Sequence, residues 1–163
     1  MSDIATTTMA SPVGPITLGA APEEGLVFVG LGAHGAERSA AGSVLEEARR
    51  QLIAYFAGEL REFTLPLAPR GTPFQRRVWE EVARVPYGTT ATYGDIARRL
   101  GHPGSGRAVG AAVGRNPTAI VVPCHRVVGA GGRLTGYAGG LERKRFLLAH
   151  ERRRGNGRAP RSP

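Results

Sequence analysis

Three breakers, Pro66, Pro69 and Gly71, fall close together near the middle of the chain. No regular element is expected to run through them, because proline lacks a backbone donor and pushes its predecessor out of the helical region. Two folded units are therefore expected, residues 1–70 and residues 71–151. Residues 152–163 carry five arginines with no apolar periodicity and are expected to form a disordered basic tail. A chain of 163 residues with 41% apolar content can build one ordinary domain or two small ones.

In the first unit, residues 6–9, 15–20 and 26–31 read as strands separated by turn clusters at 11–14 and 21–25. That order predicts an antiparallel meander. A helix is expected from Ser43, where Ser43-Val44-Leu45-Glu46 fits a capping box, to Gly58, with Val44, Leu45, Ala48, Leu52, Tyr55 and Phe56 on its apolar face. Residues 63–67 are expected to add a strand.

The second unit is denser in helix signals. Thr72-Pro73-Phe74-Gln75 is a capping box with proline at the first helical position. A short helix is expected from Thr92 or Tyr93 to Gly101, and another over 106–115, stopped by Asn116-Pro117. Two short helices joined by a glycine-containing turn form the helix-turn-helix pattern. Residues 120–122 read as a buried strand, and 141–151 as a last helix.

Charge is unevenly placed. Residues 1–70 hold five arginines against eight carboxylates, net −3, while residues 71–163 hold 17 basic groups against five acids, net +12. A basic half beside a mildly acidic one suits a polyanion-binding domain, although an arginine-biased soluble surface reads the same way. The second helix of the pair, Arg107-Ala108-Val109-Gly110-Ala111-Ala112-Val113-Gly114, has one long polar side chain. It can read little sequence in the major groove, but it can approach a groove wall closely and insert Arg107. Packing into a core would select the same small residues. The single cysteine, Cys124, excludes internal disulfides and cysteine-rich zinc sites, and His34, His102, His125 and His150 show no ligand spacing. No apolar run reaches the roughly 20 residues of a membrane span, so a cytoplasmic protein is expected.

Cys124 lies in Pro123-Cys124-His125-Arg126. A thiol attacks as thiolate, and a histidine oriented by a carboxylate, here Glu151, is the usual base. Neighbours on a strand point opposite ways, so Cys124 and His125 can share a site only in an irregular segment. On these residues alone a reactive thiol and a small buried hydrophobe both remain open.

The run Ile120-Val121-Val122-Pro123-Cys124-His125-Arg126-Val127-Val128-Gly129 resembles the signature of the O6-alkylguanine-DNA alkyltransferases, the methylated-DNA–protein-cysteine methyltransferases. Val85-Pro86-Tyr87-Gly88, Thr92-Tyr93-Gly94-Asp95, Gly106-Arg107-Ala108-Val109-Gly110, Asn116-Pro117 and Gly136-Tyr137-Ala138-Gly139-Gly140-Leu141 match in the same order. The resemblance implies an α/β N-terminal domain, an antiparallel sheet plus helix of ribonuclease H-like type, and a mainly α, winged helix-turn-helix C-terminal domain. It implies that Cys124 accepts an alkyl group from guanine O6, with thymine O4 a further candidate, in alkylated double-stranded DNA. His125 would deprotonate Cys124 through a water, Glu151 would orient His125, and Asn116 would hold the turn that shapes the site. Tyr93 would protonate the departing guanine and crowd the backbone phosphate. Arg107 would fill the gap in the stack, and Thr92, Ala108, Gly110 and Ala111 would lie against the DNA. Val127 and Tyr137 would wall the base pocket, and the segment at Ala138 would close over it. Some members carry serine at the Ala138 position, so one hydroxyl contact is missing here. No metal, no cofactor and no membrane are implied. A monomer is expected, with cooperative loading on DNA left open. A Cys124–His125 hydrolase and a DNA-binding regulator with an inert cysteine are the rival classes.

Overall fold

The computed structural model describes residues 4–32 and 43–156. His34, residues 157–163 of the expected tail and the Ser43 side chain expected to cap a helix lie outside the described residues. The chain divides into two units, Met1–Arg70 with Pro117–Val121, and Gly71–Asn116 with Val122–Pro163. The second unit is thus interrupted: Pro117–Val121 leaves it to join the first.

In the first unit, β1 (Ala5–Met9), β2 (Ile16–Ala21) and β3 (Gly25–Leu31) form an antiparallel meander in the order β1-β2-β3. Every residue of β2 is buried, as a strand with a neighbour on each edge and a covered face requires. Gly19 pairs with Phe28, and a Cβ at Gly19 would fall 2.2 Å from the Phe28 ring, so only glycine leaves that ring its place. Helix α1 (Ser43–Phe56) packs on the sheet and buries Leu45, Ala48, Leu52 and Tyr55. The expected strand over 63–67 does not form. Only Leu67 makes a bridge, to Leu26, flanked by Leu26 N–H donating to Pro66 O at 2.8 Å and Ala68 N–H donating to Leu26 O at 2.8 Å. Upstream, the buried Gln51 amide takes the Thr64 backbone instead: Thr64 N–H donates to its Oε1 at 2.9 Å, and its Nε2 donates to Thr64 O at 3.3 Å. With its donor and acceptor taken by a side chain, Thr64 has no ladder to extend.

Residues 120–122 are not a strand either. Ile120 sits at φ 71°, rare for a β-branched residue, and the preceding residues pair with β3. Val29 N–H donates to Pro117 O at 2.9 Å, and Ala119 N–H donates to Val29 O at 3.3 Å.

The second unit opens with α2 (Pro73–Ala83), capped as expected. Thr72 Oγ1 accepts from Gln75 N–H, and Gln75 Oε1 accepts from Thr72 N–H. Strand β4 (Ala91–Thr92) leads into α3 (Tyr93–Arg99), where Thr92 and Asp95 form a second capping box. Helix α4 (Gly106–Gly114) packs against α2 and α3, and the Trp79 indole N–H donates to Ala112 O at 2.8 Å. Strand β5 (Val127–Val128) pairs in parallel with β4. The last helix, α5 (Leu141–Asn156), passes the expected end at Glu151, so residues 152–156 of the expected tail are helical. No proline or glycine stops it at Glu151; Arg152, Arg153 and Arg154 follow, and arginine is a good helix former.

Candidate active site

Asn116 ends the α4 segment, and its side-chain N–H donates to Val122 O at 2.9 Å. This bond pins the two ends of the 117–121 excursion and delivers Pro123 to a single 3-10 turn, Cys124–Arg126. Cys124 N–H donates to Val122 O at 2.8 Å, and Arg126 N–H donates to Pro123 O at 2.9 Å. The turn is the irregular segment that adjacency required: all three of its side chains are buried.

Helix α5 supplies the other half. Lys144, Leu147, Leu148 and Glu151 recur at helical spacing and are all buried, so its inward face carries a cation at one end and a carboxylate at the other. Glu151 Oε2 accepts from His125 Nε2 at 2.7 Å. The Arg126 guanidinium grips the same carboxylate twice, Nε to Oε1 at 2.8 Å and Nη2 to Oε2 at 3.0 Å, and its Nη1 donates to Val85 O at 2.7 Å. The Tyr87 ring lies under the guanidinium, 5.6 Å from centroid to Cζ.

Protonation follows from this geometry. Burial pushes the Glu151 carboxyl up, but the hydrogen bonds from His125 and Arg126 and the Arg126 charge outweigh it and hold it well below the usual carboxylate range. An ionised carboxylate only accepts, so His125 carries its proton on Nε2 and its lone pair on Nδ1. Burial is the main cause that lowers the His125 imidazole below its ordinary value, against the pull of Glu151, so the ring is neutral near pH 7. Nδ1 is buried and has no hydrogen-bond partner among the described residues. Burial likewise pushes the Cys124 thiol up, while Asn116, Tyr137 and the Lys144 ammonium pull it the other way. At rest the site holds a thiol and a neutral imidazole rather than an ion pair.

Asn116, Tyr137 and Lys144 lie close enough to the sulfur to act on it. Val127 is buried, and its carbonyl accepts from Lys144 Nζ at 2.8 Å. The Tyr137 hydroxyl is buried with no hydrogen-bond partner among the described residues, burial first and then the nearby thiol push it up, and the Tyr137 ring lies 6.0 Å from Lys144 Nζ. Ala138, beside it, is exposed. The Tyr93 hydroxyl stands 3.0 Å from Thr135 Oγ1. The structure therefore brings Cys124, His125, Glu151, Asn116, Val127 and Tyr137 together.

Helix α4 turns Val109, Ala112 and Val113 into the core and leaves Arg107, Ala108 and Ala111 exposed, with Gly110 half-buried. The small residues thus do both jobs the sequence allowed, with a thin outer surface and one long cation at its start. Arg126 and Lys144 are site residues that the sequence reading assigned no role. Each had a signal: Arg126 is a charge inside an apolar run, and Lys144 shares the spacing of Leu147, Leu148 and Glu151. Among the described residues no cluster of three or more histidine, cysteine or carboxylate side chains could hold a metal ion, and no helix is long and apolar enough to cross a membrane.

Residues 4–69 match the model of the 6-O-methylguanine DNA methyltransferase ribonuclease-like domain, and residues 73–153 match that of the DNA binding domain of the same proteins. A methylated-DNA–protein-cysteine methyltransferase of Methanosarcina acetivorans is 53% identical over 147 residues, 86% of this chain and 94% of that protein. The Mycobacterium leprae protein of the same name is 49% identical over 152 residues, 89% of this chain and 90% of that one. The structure of Mycobacterium tuberculosis OGT in complex with DNA is similar at a TM-score of 0.83 and 48% identity, covering 92% of this chain and 94% of that one. With both family models matched and these identities spread over most of its length, the chain belongs to the methylated-DNA–protein-cysteine methyltransferase family.

Proposed function

We propose that the protein repairs DNA by taking the alkyl group of an O6-alkylguanine onto Cys124, once per molecule. The observation that carries the reading is the orientation of the buried His125. Glu151 fixes Nε2 as the donor, which leaves Nδ1 as the only basic nitrogen, on the residue next to the thiol. Nδ1 takes the Cys124 proton through one water, and the sulfur displaces the alkyl carbon from O6. Tyr93 donates a proton to the departing guanine, which makes it a better leaving group. The product is a thioether with no group beside it able to cleave it, and the acceptor is the protein itself, so no cofactor is needed.

The alkyl carbon is reached only when the nucleotide leaves the duplex. The thin outer face of α4 suits the minor groove, with Thr92, Ala108, Gly110 and Ala111 against the DNA and Arg107 in the gap in the stack. Val127, Tyr137 and the segment at Ala138 enclose the base. Incubation with DNA labelled on the methyl group tests the whole reading. One label per chain, on Cys124 by mass, is expected; released label indicates a hydrolase, and binding without transfer indicates a regulator.

Arg107→Ala is expected to slow repair of a duplex by at least about tenfold more than repair of a short single strand, because only the duplex has a gap to fill. Single-turnover rates on the two substrates check this, and equal losses would reduce Arg107 to a phosphate contact. Alkylation also has a structural consequence. Cys124 is 7% exposed inside the core of the second unit, so a methyl group overpacks it by about 1–3 kcal/mol. Fully methylated protein is expected to melt roughly 2–12 °C lower than free protein, and benzylated protein lower still. Coincident melting curves would show that the pocket has room for the adduct.

A further inference from the structure

We infer that Thr135 is a positioning residue for Tyr93: its hydroxyl holds the phenol in the resting site and donates to the phenolate oxygen once Tyr93 has given its proton away. The inference rests on the reading of Tyr93 as proton donor. Tyr93 opens α3 directly after the Thr92–Asp95 capping box, and its ring lies against α4. A Cβ at Gly110 would sit 3.7 Å from its Cδ1 and 3.8 Å from its Cε1. Ring and backbone are thus both fixed, and the hydroxyl reaches Thr135 Oγ1 at 3.0 Å.

Thr135 is itself held from three sides. Gly129 N–H donates to Arg133 O at 2.7 Å, closing the loop that carries it. The Thr135 methyl packs so near that a Cβ at Gly129 would be 3.1 Å away, a tight contact that would press on Thr135. The Thr135 carbonyl accepts from the buried Lys144 Nζ at 3.3 Å. A hydroxyl so anchored can accept from a phenol or donate to a phenolate without moving, which neither an amide N–H nor a carbonyl can do. During transfer the S–C bond forms, the C–O6 bond breaks, and the Tyr93 proton goes to guanine. A half-buried phenolate remains, and the Thr135 O–H, keeping its own proton, is the donor 3.0 Å from it. A charge-assisted bond of this kind is stronger in the transition state than at rest, so it accelerates the step.

The test is single-turnover transfer from a methyl-labelled O6-methylguanine duplex to the full chain. Thr135→Val keeps the branched shape against Gly129 and removes only the hydroxyl. It is expected to slow transfer about 10- to 100-fold with duplex affinity unchanged within about twofold. Thr135→Ser is expected to restore a rate within about twofold of the starting protein. In a Tyr93→Phe background, Thr135→Val is expected to cost nothing further. An unchanged rate for Thr135→Val, an equal loss in the Tyr93→Phe background, or a Thr135→Ser protein as slow as Thr135→Val overturns the inference while leaving the reading of Tyr93 intact. A Tyr93→Phe protein that transfers at full rate overturns the reading of Tyr93 first, and the inference with it. Should Thr135→Val melt more than a few degrees low, Thr135→Ala set against Thr135→Ser makes the same comparison.

Discussion

Cys124→Ser is expected to bind a duplex carrying O6-methylguanine with near-normal affinity and to transfer essentially nothing, a loss of at least about 10³-fold. The two halves of that expectation come from different parts of the second unit. On the proposed reading DNA meets Arg107, Ala108 and Ala111, which are exposed on α4, whereas Cys124 is buried in the 3-10 turn. Serine is smaller than cysteine and is offered the same Asn116 and Tyr137 side chains that act on the thiol, so the turn keeps its shape. Chemistry changes because a neutral imidazole can take a thiol proton but is far too weak a base for a hydroxyl. Burial, which already pushes the thiol up, penalises an alkoxide in the same way. Single-turnover assays with labelled DNA, paired with an anisotropy titration, separate the two properties. Normal transfer by this variant would remove Cys124 from the mechanism; loss of binding together with transfer would mean that the site and the DNA surface are not independent.

How much of this was legible depends on distance along the chain. Thr72 with Gln75 and Thr92 with Asp95 are partners three residues apart; the first was read as a capping box and the second only as a helix start, because aspartate stands where the box usually has Glu or Gln. The meander was legible for the same reason: alternation and turn residues are local signals. The expected strand at 63–67 failed because Gln51, in another element, takes the Thr64 backbone. The expected strand at 120–122 failed because Thr118, just before it, bridges to Val29 far upstream in β3, and the chain turns away at Ile120 with φ 71°. The site divides along the same line. Cys124 and His125 stand out as neighbours, but whether neighbours can share a site depends on the turn, and the turn depends on the Asn116 bond across the excursion. Arg126 was visible as a residue and invisible as a partner, because the carboxylate it grips comes from α5.

Glu151→Gln is expected to be the most damaging single change outside the nucleophile, through two separate effects. Glutamine leaves the Arg126 guanidinium buried without a counter-charge, which typically costs about 3–5 kcal/mol. For a chain of this size that lowers the melting temperature by roughly 6–20 °C. Arg126 donates to both carboxylate oxygens, so the amide NH2 faces a donor whichever way it turns, and set on the Oε2 side it puts that donor toward His125 Nε2 as well. The ring then carries its proton on Nδ1 and loses its lone pair on the side of Cys124, so transfer is expected to fall by about 10²-fold or more in protein that is still folded. The pH dependence separates the two. Burial lowers His125 in the fold, so below its ordinary value, about 6.5, the unfolded chain takes up a proton that the native ring refuses. The Glu151 carboxyl is held low in the fold, so below about 4.3 the unfolded chain again binds the extra proton. In both windows the unfolded state binds more protons, so native stability is present at higher pH and lost as pH falls. Thermal melts from pH 8 to pH 3 should show both losses in the starting protein, and the lower one should shrink in Glu151→Gln to what Glu47 and Asp95, also held low in the fold, still contribute. A variant that melts with the starting protein and keeps the same acid limb would mean that the carboxylate neither balances Arg126 nor orients His125.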